Sequence, residues 1–228
     1  MKRKILLLLL IITSVAGVFI YKELDWFKKM RLLSEQFQKH PPGEIKIKTL
    51  NLKDGDIIFH HSRSAQSEAI ALATHSEYTH CGIVFKEDNH YIVYEAVEPV
   101  KSTPLEEWIG RGKGGTFVAK RLKNADQILN ATTLERLKNS CNKWKGKHYD
   151  SYFDWSNDRI YCSELVWKVY REATGLEIGK LQRLKDFDLS SESVKQKMKE
   201  RYGIKTPLNM KVISPAAIFF SDMLTVVD

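Results

Sequence analysis

The chain has 228 residues, 36 Lys and Arg against 28 Asp and Glu (net charge +8), and three cysteines. Its composition, 43% hydrophobic and 28% charged, is globular and excludes wholesale disorder. Three cysteines cannot make a disulfide scaffold, and none of them shows the Cys-x-x-Cys spacing of a thiolate metal site. The basic charge is scattered and no basic helix carries interleaved aromatics, so nucleic acid is not an expected partner.

Lys2, Arg3 and Lys4 precede an uncharged stretch from Ile5 to Ile20, the pattern that export machinery reads. Ser14-Val15-Ala16 fits a small-x-small cleavage site, as in an exported soluble enzyme. Alternatively the run continues through Val18, Phe19, Ile20 and Tyr21, and about 17 residues suffice to span a bilayer. The expectation taken is a signal or anchor over 1–21, read as uncleaved. The three leading cations keep the N-terminus in the cytoplasm and send the rest of the chain out.

Leu24, Phe27, Met30, Leu33 and Phe37 recur at helical spacing, predicting an amphipathic stalk within 22–45 that Pro41 and Pro42 end. A main domain over 46–228 follows. Lys53-Asp54-Gly55-Asp56 predicts a turn and Ile57-Ile58-Phe59 a strand; 64–74 predicts a small helix with serine at its start. Two apolar runs, 80–86 and 91–97, flank the polar loop 87–90 and predict a hairpin. Pro104 begins a short helical turn to Trp108, Gly110 to Gly115 form a flexible connection, and 116–122 alternate as a strand. Thr132-x-x-Glu135 is a capping box for a helix carrying Leu134, Leu137, Cys141 and Trp144 on one face. Residues 162–174 predict a second helix, 190–202 a polar surface helix, and Val212-Ile213-Ser214-Pro215 a short strand ending at proline. The order suggests an α+β fold.

Cys162 stands at the predicted start of its helix, where unpaired N–H groups and the helix dipole favour an anion and hence a nucleophilic thiolate. Cys141, mid-helix on an apolar face, and Cys81, inside an apolar strand, read as small buried hydrophobes. A nucleophilic cysteine needs a base, and that base an orienting partner. His40 and His90 read as solvated, while His60, His61, His75 and His148 lie in or beside turns and stay open. His80 opens a packed strand. If the loop 87–90 closes the hairpin, Lys86 pairs with Tyr91 and His80 with Val97, and Glu95 is diagonal to His80 on the same face. An unpaired carboxylate would be costly in Glu95's apolar strand.

The segments Leu52 to Phe59, His80-Cys81-Gly82-Ile83-Val84, Tyr94-Glu95-Ala96 and Tyr161 to Val166 resemble, in order, the YiiX/YebB-type permuted papain-like cysteine hydrolases. These are similar to NlpC-type cell-wall peptidases, but the cysteine comes last, as in the branch with lecithin retinol acyltransferase relatives. The resemblance spans roughly 50 to 220 and includes Gly146-x-x-Tyr149-Asp150. It implies a circularly permuted papain-like fold, an antiparallel sheet packed against helices. It also implies Cys162 as nucleophile, His80 as general base and Glu95 as the group orienting His80. Cys81 departs from the aliphatic residue expected there and is expected not to touch the triad.

The expected mechanism is thiolate attack on an amide or ester carbonyl, an acyl-enzyme thioester and hydrolysis by water activated by His80, with no cofactor and no metal. The Cys162 backbone N–H is a first oxyanion donor, and Tyr149 or a group in the 60–67 loop is the candidate second. The expected substrate is an acyl or amide compound, a cell-wall peptide or a lipid, and the N-terminal segment is the expected membrane contact. Acyl transfer or lipid hydrolysis, and a non-catalytic envelope binding module, are the competing readings. The oligomeric state is not set by the sequence.

Overall fold

The computed structural model describes residues 51–227, so the expected membrane segment and stalk lie outside the described residues. Six antiparallel strands make the main sheet, in the order β10-β5-β1-β2-β3-β4. Their ranges are β1 Ile57–His60, β2 His80–Glu87, β3 His90–Glu95, β4 Lys101–Pro104, β5 Val118–Leu122 and β10 Leu224–Val226. Side-chain alternation splits the core in two. Ile57, Phe59, Cys81, Ile83 and Phe85 face helices α4 (Ala131–Trp144) and α5 (Cys162–Thr174). Ile58, Val84 and Val93 face the short helix α2 (Leu105–Gly110), whose Trp108 is fully buried. Both faces are therefore covered, as an α+β arrangement with helices and an antiparallel sheet requires.

The Lys53–Asp56 turn forms as expected. Gly55 takes a φ of +85°, which an L side chain rarely adopts, and Lys53 N–H donates to Asp56 Oδ2 at 2.8 Å. Arg121 of β5 then grips the buried Asp56 with two hydrogen bonds of 2.7 Å, tying the entry of β1 to its neighbour. Helix α1 (Ala65–Thr74) starts at the Ser64 cap, whose side chain accepts from Ser67 N–H.

The hairpin keeps the predicted register, Lys86 opposite Tyr91, but its turn is tighter than the loop 87–90. Glu87 pairs with His90, and Asp88 and Asn89 have φ of 46° and 65°, the left-handed pair that a two-residue hairpin turn demands. Strand β3 also stops at Glu95 instead of continuing to Val97. Ladder pairing with β2 ends at Ile83 and Tyr94, so the expected His80–Val97 pair does not form. Pro99 has no N–H to offer a ladder, and 96–100 is spent reversing the chain into β4, which the sequence reading missed.

Two further expectations shift. Helix α4 is capped by Asn130, which accepts from Thr133 N–H at 3.0 Å, so Thr132 lies inside the helix and the capping box is not used. Pro215 begins a helix, α7 (Pro215–Phe219), behind the Ser214 cap; only Lys211–Val212 (β9) is strand there, paired with β8 (Gln182–Arg183). The polar helix α6 (Glu192–Tyr202) is present, with only Val194 fully buried. Two residues each make β6 (His148–Tyr149) and β7 (Arg159–Ile160), a parallel pair leading into α5.

Candidate active site

Cys162 is the first residue of α5, after an extended Tyr161 that caps the helix with no side-chain hydrogen bond. The first helical bond runs from Leu165 N–H to Tyr161 O, so N–H groups before it remain free at the sulfur's end of the helix. Two buried contacts hold this end in place. Ser163 Oγ donates to Ile213 O at 2.8 Å, and Ile213 N–H donates to Tyr161 Oη at 3.1 Å. Glu164, from the same motif, pairs with Lys168 at 2.7 Å within the helix. Burial raises the Glu164 carboxyl to about 7, against the opposing Lys168 charge.

His80 and Glu95 lie on the α2 side of the sheet, whereas Cys162 comes from the α5 side. They meet because His80 opens β2, so its ring is free to reach round the strand end to the sulfur. Its Nε2 is 2.6 Å from Glu95 Oε2, which leaves Nδ1 for the hydrogen bond with Cys162. The three residues picked from the sequence are thus brought together.

Gly82 makes the approach possible. A Cβ there would lie 2.4 Å from Val93 Cγ1 and 2.8 Å from Tyr94 O, so any side chain would push β3 and Glu95 away from His80.

Glu95 has no solvent exposure and is satisfied on every side. Its Oε1 accepts from Thr103 Oγ1 at 2.6 Å and from the Arg111 guanidinium. Burial pushes its carboxyl up, but the His80 hydrogen bond and charge, Thr103 and Arg111 outweigh that and hold it at about 2. His80 is pushed down by burial, yet the hydrogen bond and charge of Cys162, then those of Glu95, raise it to about 9. The Cys162 thiol is held well below its ordinary range, first by a hydrogen bond from Cys81, then, against burial, by the hydrogen bond and charge of His80. Both shifts favour a thiolate beside an imidazolium, the form in which a cysteine is nucleophilic.

Cys81 does touch this centre, contrary to expectation. Both its side chain and its backbone N–H hydrogen-bond to Cys162. Strand alternation explains it: the residue after His80 must point to the opposite face, the one on which α5 and its nucleophile lie. Cys141 remains remote, fully buried in α4, its thiol pushed up by burial.

The other histidines separate clearly. His60 lies directly across the ladder from His80 and stacks on Trp108 with ring centroids 3.9 Å apart. Burial, then the His80 charge, lower it to about 3, so it is a neutral wall behind the imidazolium. His75 and His148 pair with Asp188 and Glu98 at 3.0 and 2.6 Å on the exposed surface. Thr103, Arg111 and Trp108 were not legible as site residues, while the sequence leaves His60 open; only the period of β4, once its existence is known, puts Thr103 on the Glu95 face.

Cys162 opens into a cleft at the surface. The walls come from α1, the 184–189 segment, α6, the start of α7 and the loop before α5, and include Ala69, Ile70, Phe153, Leu184, Val194 and Met198. Its polar groups include Tyr149, Gln66, Lys197 and Arg201. Phe153 holds a φ of 57°, strained for an aromatic residue, with its ring edge-on to Tyr161 at 5.0 Å. Among the described residues no three His, Cys, Asp or Glu side chains are grouped to hold a metal ion.

A model of the permuted papain-like amidase enzymes, YaeF/YiiX, C92 family, matches residues 51–228. The uncharacterized protein YiiX of Escherichia coli strain K12 is 48% identical over 173 residues, 76% of this chain and 84% of that one. The crystal structure of metalloprotein YiiX from Escherichia coli O157:H7 is similar with a TM-score of 0.74 and 47% identity, covering 77% of this chain and 96% of that one. On the permuted order of its motifs, the match over the whole described domain and these identities, the chain belongs to the YaeF/YiiX family of permuted papain-like amidases.

Proposed function

We propose that the protein is a cysteine hydrolase that cleaves an amide or ester bond through an acyl thioester on Cys162. The observation that carries this reading is Cys162 at a helix N-terminus, open to a cleft and hydrogen-bonded to a His80 that Glu95 holds, a setting that lowers the thiol and raises the imidazole. Cys162 attacks the substrate carbonyl, and the charge moves to the carbonyl oxygen, which the Cys162 backbone N–H and the Tyr149 hydroxyl receive. The His80 imidazolium gives its proton to the leaving amine or alcohol. The neutral imidazole then takes a proton from water, the hydroxide attacks the thioester, and the acid leaves with the thiolate restored. Glu95 holds Nε2 throughout and stays ionised.

The apolar walls of the cleft favour a substrate with a hydrophobic acyl group, an N-acyl compound or a lipid, over a charged cell-wall peptide. Transfer of the acyl group to an acceptor other than water is the second reading, and the same walls support it. We further place the domain outside the cytoplasm, tethered or delivered by residues 1–21, on the strength of the basic flank and apolar run. Among the described residues no helix is long and apolar enough to cross a membrane. The relative from strain O157:H7 is reported as a metalloprotein; the steps above use only this chain's own side chains.

The decisive experiment is incubation with N-acyl amino acids, phospholipids and muropeptides, with products and the acyl-enzyme identified by mass. Acyl-Cys162 together with free fatty acid is the expected result. An acyl-enzyme whose acyl group passes to an amine or alcohol acceptor would instead establish the transferase. Absence of any acyl-enzyme with all three classes would overturn the reading.

A further inference from the structure

Tyr149 can stabilise an oxyanion only if its single hydroxyl proton points into the cleft. A phenol that spends that proton on a neighbouring acceptor has nothing left to donate. The surroundings of Tyr149 decide which way the proton goes. Gln66, on the first turn of α1, lies with its Nε2 2.9 Å from Tyr149 Oη. Its Oε1 lies 3.3 Å from an Arg201 terminal nitrogen on α6. Arg201 is itself held by its guanidinium carbon stacking 4.1 Å from the centre of the Phe153 ring. A guanidinium has five donors and no acceptor, so the Gln66 carbonyl oxygen must face it. The Gln66 amide nitrogen then faces Tyr149 and can only donate. Tyr149 oxygen accepts, and its own proton is left unclaimed.

We propose that Arg201 and Gln66 are positioning residues that set the hydrogen-bond polarity of the oxyanion hole, aligning donors in the order Arg201, Gln66, Tyr149, substrate oxyanion. The inference rests on the hydrolase reading above, and in particular on Tyr149 as the second oxyanion donor. The relay also joins α1 to α6, the helices that form two walls of the cleft, so the walls and the hole are assembled together. The proximity of Tyr149 to the reacting sulfur is reflected in the charge of Cys162, which adds to burial in raising the phenol.

Reversing the polarity tests this directly. In Gln66→Glu the carboxylate can only accept; it pairs with Arg201 and takes the Tyr149 proton, turning the hydroxyl away from the substrate. Turnover of p-nitrophenyl butyrate and alkylation of Cys162 by iodoacetamide are to be measured in parallel. The ester passes through an oxyanion in both half-reactions, whereas alkylation at a saturated carbon forms none. Tyr149→Phe is expected to lower kcat by about 100-fold, the scale of one lost oxyanion donor. Gln66→Glu is expected to lower kcat as much, with KM little changed, and to cost nothing more when added to Tyr149→Phe. Alkylation should stay at the wild-type rate in all three. Arg201→Met frees the amide to flip and should lower kcat less than Gln66→Glu, and not at all in a Gln66→Leu background. Wild-type kcat in Gln66→Glu with normal alkylation overturns the relay alone, as does a loss that adds in full to that of Tyr149→Phe. Wild-type kcat in Tyr149→Phe overturns both the relay and the oxyanion role, and failure of the wild-type protein to form an acyl-Cys162 overturns the hydrolase reading itself.

Discussion

Helices α4 and α5 pack side by side on one face of the sheet, and each carries a cysteine almost wholly out of water, Cys141 at 0% and Cys162 at 3% exposure. Their thiols are nevertheless driven in opposite directions. Burial raises Cys141, opposed only by the charge of Lys145, one helical turn on, and by a backbone hydrogen bond, because a mid-helix thiol on an apolar face meets no base. Cys162 meets the Cys81 hydrogen bonds and the hydrogen bond and charge of His80, and burial loses. Exposure therefore says nothing about reactivity here. What decides it is whether the first turn of a helix, and not its middle, abuts a strand end bearing a base.

The strongest way to break this contrast is to exchange the two thiols for methyl groups separately. Cys162→Ala should abolish labelling by iodoacetamide and lower ester turnover by about 10⁴-fold or more, the scale of a lost nucleophile in a triad. Cys141→Ala should leave both intact and lower stability by only about 1 kcal/mol, the cost of a small cavity. Intact-mass analysis after labelling reads the first and denaturant unfolding the second. Label retained in Cys162→Ala would show that the reactive sulfur lies elsewhere.

A somewhat smaller effect is expected from the base. With Cys162 held low and His80 raised to about 9, the ion pair persists from acidic pH up to about 9. Turnover should fall as pH rises through about 9, where His80 loses the proton that the leaving group needs. Alkylation should not fall there, since the thiolate remains. In His80→Ala the onset of alkylation should move up towards the ordinary thiol value of about 8.5. An onset unchanged from wild type would remove the imidazolium from the account. Folding is linked to the same groups. Stability contributed by the raised His80 is complete below its ordinary value of 6.5 and is lost as pH rises through about 9; that from the lowered Glu95 is present above 4.5 and is lost as pH falls through about 2.

The parts of this centre that the sequence made legible are those governed by short-range rules. The helix start at Cys162 and the hairpin parity joining His80 to Glu95 follow from periodicity and turn placement, and a tighter turn at Asp88-Asn89 leaves the parity intact because it adds a residue to both strands. What stayed hidden is set by tertiary position. Lys101-Ser102-Thr103-Pro104 has no apolar run to mark a strand, yet pairing with β3 puts the Thr103 hydroxyl on Glu95. Arg111 follows a glycine in an irregular stretch, and nothing local shows that it ends on a buried carboxylate. Gln66 and Arg201 are far apart in the chain and meet only where α1 and α6 form the cleft. The contact of Cys81 could have been deduced: once His80 reaches the nucleophile from one face of β2, its successor must look at α5 from the other.

That contact gives the finest test of the contrast, because Cys81 is the third buried thiol and acts on the first. Cys81→Ala puts an aliphatic residue at this position and removes one of the donors to the Cys162 sulfur, while its backbone N–H remains in place. A hydrogen bond to a charged group contributes about 1.5–3 kcal/mol, and a thiol is a weak donor, so a loss near or below 1 kcal/mol is expected. At pH low enough to protonate the wild-type thiolate, where its fraction is limiting, alkylation should slow about fivefold, and at neutral to alkaline pH it should match the wild type. That pH-dependent gap distinguishes a lost donor from a cavity, which would slow the reaction equally at every pH. If the two curves coincide throughout, the imidazolium and the helix N-terminus suffice to hold the thiolate, and Cys81 only fills space between β2 and α5.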